Sequence, residues 1–89
     1  QRVELIAELL VRVMLFSGDI ENIRQDIERI VQFMRGLPPG SPMLRPARDR
    51  LRRRYGRIDF LAGRVQEMTR EVNQLLRELA WLSVRFFHL

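Results

Sequence analysis

The densest chemistry in this sequence is the run Arg45-Pro-Ala-Arg-Asp-Arg-Leu-Arg-Arg-Arg-Tyr-Gly-Arg57, where seven guanidinium groups face one carboxylate, that of Asp49. Residues 1–36 hold five arginines against six acids, and residues 58–89 hold four against four. The chain's net charge of +5 therefore resides in this one stretch. Each guanidinium can neutralise a phosphate, which predicts strongly salt-dependent binding to RNA or DNA, and Tyr55 can stack on a base. An acidic protein surface is another fitting partner, and a solvated charged cap is the reading that needs none. Arginines near the start of a helix sit at the positive end of its dipole and destabilise it somewhat unless an anion is close. That favours an anionic partner. The candidate contacts are Arg45, Arg48, Arg50, Arg52, Arg53, Arg54, Tyr55 and Arg57.

The other reactive residue types do not assemble into a catalytic set. Cysteine is absent, which removes disulfides and thiolate metal sites together. The single histidine, His88, has no second imidazole to work with and reads as a terminal residue. All sixteen basic residues are arginine, so no lysine nucleophile is available, and no glycine-rich phosphate loop occurs. A GC-rich genome accounts for arginine in place of lysine as readily as selection for guanidinium chemistry does. The carboxylates alternate with arginines on polar positions, where nothing raises a pKa toward neutrality. Glu67 and Glu71 share a helical face but lie between Arg64 and Arg70, as ordinary surface charge does. Neither an enzyme nor a metal or cofactor site is expected, since carboxylates alone provide no cage here.

The elements that must carry these residues are legible from apolar spacing. Ile6, Leu9, Val13, Phe16, Ile20, Ile23, Ile27, Ile30, Met34 and Leu37 recur at steps of three and four, the pattern of a coiled-coil seam. The phase runs unbroken through Ser17-Gly18-Asp19, which predicts one helix over about 2–36, with Gly18 costing about 1 kcal/mol relative to alanine. Gly36-Leu37-Pro38-Pro39-Gly40-Ser41-Pro42 must end it. Pro46 suits the first turn of a second helix over about 46–88, leaving a turn at about 37–45. Its seam is Ile58, Leu61, Val65, Met68, Val72, Leu75, Leu79, Leu82, Phe86 and Leu89, extended backwards through Ala47, Leu51 and Arg54. In a seam, Arg54 either sets register or snorkels to water, and its place near a helix end favours the second.

The stretch 38–55 resembles the arginine-rich region of lentiviral Rev proteins, in which a helical hairpin with a proline-rich turn, here Pro38-Pro39, leads into an arginine-rich helix ending in an aromatic. The resemblance implies RNA binding by the arginines. It covers only this stretch, Asp49 and Leu51 interrupt the run, no asparagine stands in it for base recognition, and the helices are longer. It is an analogy of one motif and assigns no family.

The expected fold is all-α, a single antiparallel helical hairpin over residues 1–89, since short connections favour antiparallel neighbours. A register in which facing residue numbers total 81 pairs Ile6 with Leu75, Val13 with Met68, Phe16 with Val65 and Ile23 with Ile58. One flank then sets Arg12 against Glu71, Asp19 against Arg64 and Asp26 against Arg57, all of opposite sign. The other pairs Leu10 with Leu76, Ser17 with Thr69, Arg24 with Ala62 and Val31 with Tyr55, largely apolar or small. Residues 81–89 project past the start of the first helix, and eleven of the first sixteen residues are apolar, so one end of the rod is greasy and the other cationic.

Two helices without disulfides or metals usually need a partner. Leu5, Leu10, Val31, Phe33, Phe60, Leu76, Trp81, Phe86 and Phe87 are the candidate association residues, with the aromatics as anchors. The expected function is a non-enzymatic coiled-coil module that self-associates or zips onto partner helices, completing a four-helix or larger bundle. The alternative is a small arginine-rich nucleic-acid-binding oligomer. Glu4, Glu8 and Glu78 weigh against a membrane-surface role, and residues 3–16 are too short and charged to span a bilayer. A first residue other than methionine suggests a processed form or fragment, the opening lacks the basic leader of a signal peptide, and an intracellular setting is expected over a secreted one.

Overall fold

The computed structural model describes the backbone of residues 2–87 and the side chains of residues 2–85. It is an antiparallel hairpin of two α-helices, α1 (Arg2–Arg35) and α2 (Leu44–Phe87), forming a rod of 74 × 17 × 14 Å. The described residues contain no strand.

The heptad positions predict the interface. Every assigned seam residue from Ile6 to Leu37, and from Ala47 to Leu82, is buried or half-buried, with the sole exception of Arg54. The most enclosed are Leu61, at 2% exposure, Met68 and Leu9. Ile6, Leu9, Met68 and Val72 form one cluster, against which Val13, Phe16, Leu75 and Leu79 pack. This brings both members of the expected pairs Ile6–Leu75 and Val13–Met68 together. Two ion pairs cross between the helices, Arg2–Glu78 and Asp26–Arg54, and the residue numbers total 80 in each. The two pairs share one offset, so a single register holds at both ends of the rod.

α1 is continuous through Ser17-Gly18-Asp19. It ends by tightening: the Gly36 N–H is shared between the carbonyls of Gln32 and Phe33, and the Leu37 N–H donates to Met34. Pro38-Pro39-Gly40-Ser41 then makes a turn closed by the Ser41 N–H on the Pro38 carbonyl at 3.1 Å. Gly40 stands at φ +83°, the third position of a type II turn, where a side chain would be strained. Ser41 caps α2: its hydroxyl accepts from the Met43 N–H at 3.2 Å, and its carbonyl from the Leu44 N–H. Pro42 follows the cap, where its missing N–H costs nothing. The second helix thus begins at Leu44 instead of near Pro46, because Ser41-Pro42 supplies the start and Pro46 lies a turn further in.

α2 runs nine residues past Glu78, its contact with Arg2 at the first residue of α1, so its end overhangs the hairpin.

Leu61 and Gly18 probe the two sides of this account. Leu61→Ala should cost about 2–5 kcal/mol by leaving a cavity at the middle of the seam. Gly18 faces open space, with nothing within 4 Å of an added Cβ, so Gly18→Ala should stabilise by up to about 1 kcal/mol. Thermal melts followed by circular dichroism read both, and equal effects would mean that the seam is misplaced.

Candidate functional site

The cationic end occupies the first turns of α2. Arg45, Arg48 and Arg52 follow one another at steps of three and four, and the next step reaches Tyr55. Arg50, Arg53 and Arg57 do the same, and the next step reaches Phe60. At 100° per residue these are two ridges on opposite sides of the seam carried by Ala47, Leu51 and Ile58. Each ridge ends in an aromatic. Arg57 lies over the Phe60 ring at 5.5 Å, within cation–π range. Arg50, Arg53, Arg54 and Arg57 line one groove with Ile23, whereas Tyr55 lines another with Val31, Gln32 and Arg35.

Arg54 is the exception among the seven. It lies at a seam position, and its guanidinium leaves the seam sideways to meet Asp26 at 2.7 Å, with the arginine about half exposed. It therefore snorkels, with a carboxylate partner. The other six arginines of the segment have no carboxylate within 4 Å among the described residues. The cationic end is uncompensated by its own chain.

The expected flank pairs did not form. Asp26 takes Arg54, and not Arg57. Arg64 takes Glu67 of its own helix at 3.0 Å, and not Asp19. Arg12 and Glu71 make no ion pair among the described residues. A partner three residues along the same helix lies within easy reach, whereas a partner across the seam needs both side chains extended. Arg24 shows the same preference, bridging Glu21 at 2.7 Å and Glu28 at 2.5 Å. The hydrogen bond from Arg24 holds the Glu21 carboxyl below its usual range, and Glu21 in turn raises the Arg24 guanidinium.

The structure does not gather the candidate association residues onto one face. Writing the seam positions of both helices as a and d of a heptad, Leu10 and Leu76 occupy e positions on one flank, each 48% exposed. Val31 lies further along the same flank, half-buried beside Tyr55. Leu5 and Phe33 occupy the opposite flank; Phe33 borders a niche at the turn formed with Pro42, Met43, Pro46 and Ala47. Phe60 and Trp81 point away from α1 on the far side of α2, each with an arginine stacked on it, Arg85 lying 5.3 Å from Trp81. Phe86 and Phe87 belong to α2, but their side chains lie outside the described residues, as does all of His88.

A more coherent surface follows from heptad phase. Val3, Ala7, Leu10 and Met14 step by four, three and four along the e and b positions of α1, beside its seam. The corresponding positions of α2 at the same end are Leu76, Ala80 and Ser83. Met14 is 72% exposed and Val3 64%, with Val11, Leu15 and Val84 exposed nearby. This is a second apolar stripe with no partner in the hairpin. Toward the turn the same positions become Glu21, Arg24 and Glu28 on α1 and Arg52, Arg48 and Arg45 on α2. The stripe is thus confined to the end bearing the termini.

Among the described residues, no cluster of three or more His, Cys, Asp or Glu side chains could hold a metal, and no helix is long and apolar enough to cross a membrane. No protein-family model, curated protein or solved structure matches this chain.

The observed ion pairing gives a direct prediction. A double-mutant cycle on Asp26→Asn and Arg54→Gln should return a coupling of roughly 0.5–1 kcal/mol that shrinks at high salt. The cycle on Asp26→Asn and Arg57→Gln should lie within about 0.3 kcal/mol of zero. Urea unfolding at low and high salt measures both.

Proposed function

We propose that this chain is a non-enzymatic helix-association module, which uses its hairpin as one half of a larger bundle. The observation that carries this is the exposed stripe Val3, Ala7, Leu10, Met14 with Leu76 and Ala80. Exposed side chains at heptad spacing beside an already occupied seam are what a third and fourth helix require for knobs-into-holes packing. Monomeric proteins seldom leave so much contiguous apolar surface in water.

The stripe is testable because Met14 touches so little of its own chain. In a free hairpin, Met14→Glu exchanges one solvated side chain for another, whereas in a bundle it buries a carboxylate. Met14→Glu and Leu10→Glu should each weaken association at least about tenfold in sedimentation equilibrium, with helicity retained at concentrations where the wild type is still assembled. Unchanged association in both variants would remove the stripe from the account.

A second reading has its own observation. Six arginines without carboxylate partners, in two ridges that each end in an aromatic, favour a polyanion that presents phosphates to both sides of α2. Under this reading the bundle multiplies a nucleic-acid contact at the turn end. Arg48, Arg52 and Arg53 lie off the seam and off every ion pair among the described residues. Replacing all three by glutamine should leave assembly intact, lower affinity for RNA or DNA, and flatten the slope of log K against log salt by roughly one per lost contact. Fluorescence anisotropy at two salt concentrations reads this. Wild-type binding that vanishes near physiological salt would instead fit an acidic protein surface.

A further inference from the structure

We infer that the apolar stripe is covered by a second copy of this chain, lying antiparallel and overlapping only at the termini-bearing halves, so that the two arginine segments point outward at opposite ends. This rests on the association reading above and adds the occupant and its direction.

Three features of the stripe select the occupant. It contains no charge over Val3, Ala7, Leu10, Met14, Leu76, Ala80 and Ser83, so its partner must be uncharged along the same length, as a second copy is. Its residues come from both helices at equivalent heptad positions, so the same patch on a second copy can meet it across a two-fold axis. With Val11 and Val84 at its border, it offers apolar side-chain surface on the order of 600 Å², close to the ~800 Å² each partner contributes in a standard interface. Two stripes together reach about 1,200 Å², the lower end of what a specific interface buries.

Charge and length select the direction. A side-by-side parallel pair would set two segments of residues 45–57, each with seven arginines and one acid, at the same level of the rod. It would also align the charged half of each face, Glu21 to Glu28 and Arg45 to Arg52, with its copy. An antiparallel pair overlapping along the whole rod would lay Val3, Leu10 and Met14 against that charged half. Only a staggered antiparallel pair, centred near Ala7 and Leu10, sets Val3 to Met14 of α1 against the same residues of its copy and leaves both cationic ends in water.

The absence of cysteine makes the geometry measurable by single-site labelling. Gln25 is exposed on α1 and lies toward the turn, off the seam and off the stripe. In the staggered antiparallel dimer, nitroxides on Gln25→Cys lie about 50 Å apart, from twice the seventeen-residue offset at 1.5 Å per residue. In the parallel pair, or in the antiparallel pair overlapped along the whole rod, they lie under about 30 Å apart. Pulsed electron–electron dipolar spectroscopy on the full chain, with sedimentation equilibrium on the same labelled sample, separates the outcomes. A dimer with a distance near 50 Å supports the proposal. A dimer with a short distance overturns the direction and leaves the association reading standing. A monomer at tens of micromolar overturns the second copy as occupant, and a monomer that also tolerates Met14→Glu without change in any partner assay overturns the reading beneath it.

Discussion

Two helices can bury only one seam between them, and most features of this molecule follow from that limit. The hairpin's core consists of single-file side chains, with Ile6, Leu9, Ile27, Ile30, Ala47, Leu61, Met68 and Val72 buried and the remaining seam residues only half covered. No third layer covers α1 or α2 from outside. An apolar residue off the seam must therefore face water or another chain, and an arginine in the seam must leave it sideways, as Arg54 does toward Asp26. Cores this thin in small proteins are usually supplemented by covalent bridges, metals or association. The sequence has no cysteine, and the described residues hold no metal-ligating cluster.

The rod is polar along its length in a second sense. At the end that carries the termini, apolar residues continue off the seam onto a neighbouring stripe. At the turn end, the same heptad positions hold Arg45, Arg48 and Arg52. One end is organised to exclude water and the other to keep it, or to exchange it for an anion. In the proposed assembly the joined apolar ends leave the cationic ends accessible, so that assembly and anion contact would not compete for the same surface.

How much of this was legible in the sequence depended on how local each interaction is. The seam was legible, because steps of three and four held in phase along each helix leave one solution, and every described seam position except Arg54 is buried or half-buried. The start of α2 was not, because Pro46 also fits a first helical turn, and the cap that sets the start, the Ser41 hydroxyl, precedes it by five residues. The ion pairs on the flank were misassigned for a different reason: opposite signs across a seam do not compete with a carboxylate one turn away on the same helix, as Arg64–Glu67 and Arg24–Glu21 illustrate. Size alone does not mark an association face: Phe33, Phe60 and Trp81 lie on different faces, whereas heptad phase places Val3 and Met14 on one stripe with Leu10.

If a second copy completes the proposed bundle, stability depends on protein concentration, and that dependence tests the proposal most directly. For a molecule whose native state includes a partner copy, the melting temperature must rise with protein concentration, since dilution favours the separated, less stable chains. Calorimetric melts of the unmodified protein at about 5 and about 500 µM should differ by several degrees, with the transition remaining a single cooperative step. A melting temperature that is the same at both concentrations, at a sedimenting mass of one 10.7 kDa chain, would show that the single seam is sufficient by itself and would contradict the account.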